Sequence, residues 1–304
     1  MEQVIFYGNP LDFYRAFLNG KFFYFESIPI HPEFLDMDSN WDDKIVLKRE
    51  LQKHNVSVPA FLRLPIFNLK NLDDMFSQLN LPIIVKPKIG SRARHTVTNI
   101  NTKEQFKKGV KLARQISAFV VAEEHLDGFI CRATVIGGKL GGFYRGSIPS
   151  ITGDGEKTIH ELIRVRNVER DERYSIRVSE ELHDHVERAG FTIDDILPEG
   201  ISISLSHRGG QLFGGNTREM IDELHPSFIP IFEKAAKAVG LSVAGFDAII
   251  PDPTKDAYGQ KWGIIECNTL PFIDVHYFAL EGKPRNIAGM VWDLWDKNGF
   301  SEPQ

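Results

Sequence analysis

The chain has 304 residues, of which 42% are hydrophobic and 25% charged, with a formal net charge of −5. That is the balance of a globular protein long enough to bury a sizeable core or to divide into two or three lobes. It gives no footing for nucleic acid as the main partner, and no apolar run approaches the length that crosses a bilayer.

The first forty residues carry a run of aromatics, including Phe13, Phe17, Phe22, Phe23, Tyr24 and Phe25, broken by Pro29 and Pro32. They read as a segment, 1–41, that packs against something else and is too short to fold alone. A helix is predicted from Asp42 to His54, an extended stretch from Val58-Pro59 to Phe67, and a short helix from Leu72 to Leu79. The apolar run Pro82-Ile-Ile-Val-Lys86 predicts a strand. Thr102 and Gln105 have capping-box spacing for a helix through Ile116, with Phe106, Val110 and Ala113 as its apolar stripe. Three strands follow, Ala118–Glu123, Phe129–Gly137 and Lys139–Ser147, the last two closed into a hairpin by Gly137-Gly138. Two charged helices, Thr158–Asp171 and Ser179–Ala189, predict an exposed arm. Pro226 opens a helix ended by Gly240. A last helix spans Arg285 to Lys297. Strands and helices mix without strict alternation, which predicts an α+β protein.

The most informative residues lie in Ala244-Gly-Phe-Asp-Ala-Ile-Ile250 and Gly263-Ile-Ile-Glu-Cys-Asn268. Each acidic group interrupts a β-branched run that reads as a buried strand. A buried carboxylate is costly unless it is compensated, and a divalent cation is a natural compensator. Strand periodicity puts Glu266 and Asn268 on one face, so an adjacent Asp247 completes three oxygen ligands. Such a sparse set suits Mg2+ (or Mn2+) that also holds nucleotide phosphates. Lys86 ends its strand as a point charge suited to phosphate. The polar loop after it, which contains Ser91, is placed to close over phosphates. The strand end Glu123-Glu-His-Leu126 offers backbone groups for an adenine edge, with Ile265 and Ile84 as apolar faces for the ring. Arg132 and Arg145 on the hairpin are candidates to bind a carboxylate or a transferring phosphoryl group, and Arg208 falls in a later polar stretch placed as a substrate loop. For each of these residues a surface ion pair or an ordinary strand end is the plainer alternative. Cys131 and Cys267 sit in separate strand-like runs and read as buried free thiols. With a start that does not resemble a signal peptide, they make a cytoplasmic protein the expectation.

Taken in order, these segments resemble the ATP-grasp superfamily, on the side of cyanophycin synthetase and glutathione-synthetase-like ligases. The matching pieces include Asp43-Lys44, Ile84-Val-Lys-Pro87, Glu123 with Gly128 and Arg132, Thr152-Gly-Asp-Gly155 with Thr158-Ile159, Gly245-Phe-Asp247, Ile265-Glu-Cys-Asn268 and His276. The resemblance covers about residues 42 to 295 and implies an ATP-grasp domain over 42–304. In it, a small lobe (about 80–125) and a large lobe (about 126–304) clasp ATP. It implies Lys44 and Lys86 on ATP phosphates, Glu123, Glu124, His125 and Leu126 at the adenine, and Asp247, Glu266 and Asn268 on magnesium. Arg145 is implied near an acyl-phosphate. The implied reaction joins a carboxylate to an amine of an amino acid or peptide through an acyl-phosphate. An ATP-grasp kinase acting on a small molecule and a non-catalytic ATP-binding module are the alternatives. The chain departs from relatives in a glycine-poor loop at Gly90–His95 and in Phe272, where relatives commonly have glycine. Its short N-terminal segment leaves room for a homodimer or a partner subunit.

Overall fold

The computed structural model describes residues 2–6, 9–18, 20–30, 40–66, 71–89, 95–168, 170, 172–206, 209, 210 and 213–297. Two sheets organise the molecule. A four-stranded sheet has the order β4 (Phe61–Arg63), β7 (Val120–Glu124), β5 (Ile83–Pro87), β6 (Val97–Ile100). One of its faces, with Ile83, Val85, Val120 and Ala122, packs on helices α2 (Leu72–Phe76) and α3 (Lys103–Ala113). Thr102 and Gln105 form the capping box that the spacing predicts at the start of α3. The other face carries Ile84, Lys86 and Glu123. The sheet therefore takes in residues upstream of its strongest sequence signal, because β4 pairs with β7 across Phe61 and Glu123.

A six-stranded sheet has the order β14 (Gly263–Asn268), β13 (Val243–Ile250), β8 (Phe129–Ile136), β9 (Lys139–Gly146), β12 (Thr217–Glu219), β15 (Glu281–Gly282). β8 and β9 are the expected hairpin, and Gly137 and Gly138 supply its positive φ values of 56° and 76°. One face, with Cys131, Ala133, Phe143, Phe246 and Cys267, is sealed by α6 (Phe228–Val239) and by Trp262. Helix α1 (Lys44–Lys53) lays Leu47 and Leu51 on the same core. An arm between β9 and β12 carries α4 (Ile159–Val168), α5 (Glu180–Arg188) and the ribbon β10 (Ser150–Thr152) with β11 (Ser202–Ser204). Its own cluster, including Ile159, Ile163, Val186 and Leu197, makes it a small packed unit rather than a purely charged surface.

The N-terminal segment, expected only to pack against something, is a three-stranded antiparallel sheet: β1 (Glu2–Phe6), β2 (Asn9–Leu18) and β3 (Lys21–Glu26). Phe23 and Phe25 meet Trp295 and Trp292 of α7 (Ile287–Lys297) edge-on at 4.8 and 6.1 Å. The Trp295 indole N–H donates to the Pro29 carbonyl at 2.6 Å.

The second face of the large sheet is layered along its strands. At one end Ile136 and Val243 lie under α7. Next, across neighbouring strands, come Asn268, Gly245, Thr134 and Gly142, and beyond them Glu266, Asp247, Arg132, Tyr144 and Glu219. The segment 269–280 leaves β14 and returns at β15 on the opposite edge, crossing that second layer as a strap. Its Pro271 sits over Gly245, where an added Cβ would lie 2.5 Å from Pro271 Cβ. The fully buried His276 sits over Gly142, Nε2 paired with Thr134 Oγ1 at 2.7 Å and Nδ1 with Glu219 Oε2 at 2.5 Å. Small residues under the strap are thus a steric requirement. Gly142→Ala would put a methyl 2.6 Å from His276 Nδ1. We expect it to destabilise the protein by about 1–3 kcal/mol in urea unfolding; an unchanged midpoint would contradict this packing.

Candidate active site

The two sheets meet where α1, β5, β7 and β14 converge, and the space beside that junction is the candidate cleft. Asp43 caps α1 through the Ile45 and Val46 amides at 3.0 and 3.4 Å and binds Lys88 Nζ at 2.6 Å. Burial raises the Asp43 carboxyl, but these partners outweigh it and hold it below the usual carboxylate range. The cap fixes the first turn of α1, which sends Lys44 and Lys48, four residues apart, towards the cleft.

Lys48 is fully buried. Its ammonium donates to Glu123 Oε1 at 2.8 Å and to the Ile265 carbonyl at 3.0 Å. Lys86 holds the other oxygen of Glu123 at 2.9 Å. Burial pushes Lys48 down from 10.5 to about 8, with the Glu123 charge opposing the shift. Glu123, raised by burial and lowered more strongly by the two lysines, stays below its ordinary value. The Ile265 carbonyl is available because β14 bulges there: Asp247 pairs with Glu266 and Ala248 with Ile264, leaving Ile265 unmatched. Lys44 Nζ lies 3.5 Å from Glu266 Oε1.

Asp247 and Glu266 are cross-strand partners on one face, as strand periodicity predicts, and Asn268 follows on the same side. The compensation expected from a metal ion is supplied here by side chains. Arg132 donates to both Asp247 oxygens, Nε to Oδ1 at 2.5 Å and Nη2 to Oδ2 at 3.0 Å, and Lys44 accompanies Glu266. The Asn268 amide nitrogen, not its oxygen, faces Asp247 Oδ2 at 3.3 Å. Asp247 outweighs the effect of burial on Arg132 and keeps the guanidinium firmly charged. Among the described residues no group of three or more His, Cys, Asp or Glu could hold a metal. Two carboxylates and an amide oxygen fit a Mg2+ that brings phosphate ligands with it, not an ion held by protein alone.

Several other expectations change. Arg145 does not join this row. It pairs in register with Cys131, one residue from Arg132, so its side chain leaves the opposite face and stacks over Phe129 at 4.6 Å. At Glu123–Leu126, whose backbone was expected to meet an adenine edge, the Glu123 side chain serves two lysines and the Glu124 side chain pairs with Lys261. The amides of Glu124 and His125 already donate to the Ala60 and Pro82 carbonyls, both at 2.9 Å. Ser91 and Arg208 lie outside the described residues. Sequence reading passed over Lys48. The available signal was a lysine four residues after Lys44, on the helix face that also carries Leu47 and Leu51.

A two-lobed architecture of this kind is the ATP-grasp fold. In sequence the chain is similar to the cyanophycin synthetase of Geminocystis herdmanii, 30% identical over 269 residues, covering 83% of this chain and 30% of that protein. It is also similar to the cyanophycin synthetase of Trichormus variabilis, 29% identical over 263 residues, covering 83% and 29%. The bifunctional glutathione biosynthesis protein GshAB of Clostridium perfringens is 27% identical over 266 residues, covering 83% and 34%. Among solved structures, the bifunctional glutathione synthetase of Pasteurella multocida matches with a TM-score of 0.61 at 24% identity, covering 93% of this chain and 40% of that one. No protein-family model matches. The chain is an ATP-grasp protein related to cyanophycin synthetase and bifunctional glutathione synthetase, and it spans about a third of the length of those relatives.

Two measurements test the buried triad. Glu123→Gln leaves two buried ammonium groups without their counter-ion and should cost about 3–5 kcal/mol in chemical unfolding; a loss below 1 kcal/mol would contradict it. Between about pH 8 and 10.5 the folded Lys48 has released a proton that the unfolded chain still binds, so this group adds stability as pH rises through that window. Wild type should therefore gain on Lys48→Met from pH 8 to 10, and a constant difference would remove the assignment.

Proposed function

We propose that this chain is an ATP-dependent carboxylate–amine ligase. It would activate an acid as an acyl-phosphate and join it to an amine of an amino acid or peptide, releasing ADP and phosphate. One observation carries the reading: lysines suited to phosphate and a set of oxygen donors are brought together where the two sheets of an ATP-grasp fold converge. Lys44 and Lys86 reach that junction from different lobes. Both hold carboxylates there, Glu266 and Glu123, and an incoming polyphosphate would compete for the same ammonium groups. Lys48 is assigned no contact with nucleotide; it fixes Glu123 and so the approach of Lys86.

In this reading the adenine edge meets backbone carbonyls of 123–126 and the Leu126 amide, with Ile84 and Ile265 against the ring. Asp247, Glu266 and Asn268 hold Mg2+, with Mn2+ as a substitute. When bound, that ion neutralises phosphate charge and lowers the cost of bringing an acid oxygen up to it. Arg132, anchored beside the donor set by Asp247, is the arginine placed to face acyl-phosphate oxygens. Arg145, on the other face, has no part in the proposal. The proposed setting is the cytoplasm, in keeping with two buried free thiols, Cys131 and Cys267, which burial pushes well above the usual thiol range. Among the described residues no helix is long and apolar enough to cross a membrane.

Purified protein with Mg-ATP and pairs of amino acids or dipeptides decides the class. Ligation releases free phosphate only when both acid and amine are present, whereas a kinase leaves the phosphate on its product. Glu266→Gln is expected to cut phosphate release by about a hundredfold or more without changing the unfolding midpoint. Near-normal release by that variant would remove the donor set from the reaction.

A further inference from the structure

The N-terminal sheet is aromatic on both faces. Tyr14, Ala16, Phe23 and Phe25 point one way, and the tryptophans of α7 meet Phe23 and Phe25 there. Phe13, Arg15 and Phe17 of β2 alternate to the other side, in register with Glu26, Tyr24 and Phe22 of β3. An antiparallel sheet with one face in water ordinarily alternates apolar inward and polar outward. Here the outward face carries four rings, Phe13, Phe17, Phe22 and Tyr24, exposed by 38, 59, 54 and 55%. They form an ordered layer. Phe13 stacks with Tyr24 at 6.2 Å, Phe17 meets Phe22 at 4.9 Å, and Arg15 lies over the Phe22 ring at 5.1 Å. Contiguous exposed rings of this kind mark an interaction surface rather than the usual scatter of single hydrophobics.

We propose that the occupant of this face is a second copy of the chain, stacked through the same face. Charge is the first reason. One arginine, Arg15, and one glutamate, Glu26, stand among the rings on β2 and β3. That balance, in a chain of net charge −5, does not suit a membrane surface, which selects a face rich in Lys and Arg. It does suit self-pairing. With a two-fold axis between two such faces, running along the strands, β2 of one copy lies over β3 of the other. Phe17 then covers Phe22, and Arg15 covers Tyr24 with Glu26 the next residue along that face. No like charges meet, so the face is its own complement, as a two-fold interface requires. An axis across the strands would instead set Arg15 against Arg15. Area is the second reason. An aromatic side chain buries about 150–250 Å², so four rings near half exposure leave roughly 400 Å² per chain. Two copies bury about 800 Å² on rings alone, half of a standard interface before its polar rim is added.

Sedimentation of the full chain at about 10 µM tests the dimer, and wild type should run as two chains. The double variant Phe17→Ser, Phe22→Ser alters only exposed rings. It should raise the dissociation constant at least about hundredfold and leave a monomer with an unchanged circular dichroism spectrum. Charge exchange tests the pairing itself. Arg15→Glu alone and Glu26→Arg alone each set like charges together and should weaken the dimer at least about tenfold. Mixed in equal amounts, the two variants should recover a dimer with one chain of each, because both cross-pairs are then opposite in sign. A monomeric wild type, a dimer that survives the double substitution, or charge variants that do not recover on mixing would each overturn the proposal. So would a monomer that uses these rings to bind anionic vesicles or a different protein.

Discussion

Glu123 lies where a helix, a small sheet and a large sheet come together, and its two oxygens are shared between ammonium groups from two of them. Lys48 comes from α1 and also grips the Ile265 carbonyl of β14, while Lys86 comes from β5 in the small lobe. Two buried cations around one buried anion tolerate little displacement, because separation leaves a charge without a partner in a medium of low polarity. The lobes are thus joined by a polar contact with a defined geometry, and the cleft takes its shape there. A bulge in β14 is what makes the third contact available, since a regular strand would have directed the Ile265 carbonyl into its ladder.

The large sheet has an apolar face and a face that carries the charged row of the proposed site. One is filled by Phe143, Phe246, Ala133 and Cys131 under α6. The other is stepped, with α7 first, the strap next, and the charged row last. Gly245 and Gly142 let the strap descend far enough for His276 to reach Thr134 and Glu219. That buried histidine, satisfied at both ring nitrogens, holds in place the segment that borders the charged row.

Within the row, Arg132 and Asp247 form a two-point ion pair and Lys44 attends Glu266. The carboxylates are therefore oriented and already partnered by cationic side chains. An arriving cation with its phosphates would enter a set of charges that exchange partners, rather than a vacant cage of acids. In the proposed reading such a site would discriminate by what the ion carries with it, since the protein alone offers too few ligands.

Much of this was legible from the chain alone. Asp247, Glu266 and Asn268 stood out because carboxylates inside β-branched runs violate the ordinary burial pattern, and period-two alternation put the last two on one face. The capping box at Thr102, the hairpin at Gly137-Gly138 and the stop at Gly240 are local, and local rules suffice for them. What compensates a buried charge is not local. Lys48 reads as one more lysine on a charged helix until β7 and β14 are folded against it. Arg132 and Arg145 look equivalent until strand register sends them to opposite faces. The N-terminal aromatics become a sheet only against the tryptophans of α7. Alternation and capping are written within a few residues of sequence, whereas ion pairing depends on distances between segments that only the packed chain brings together.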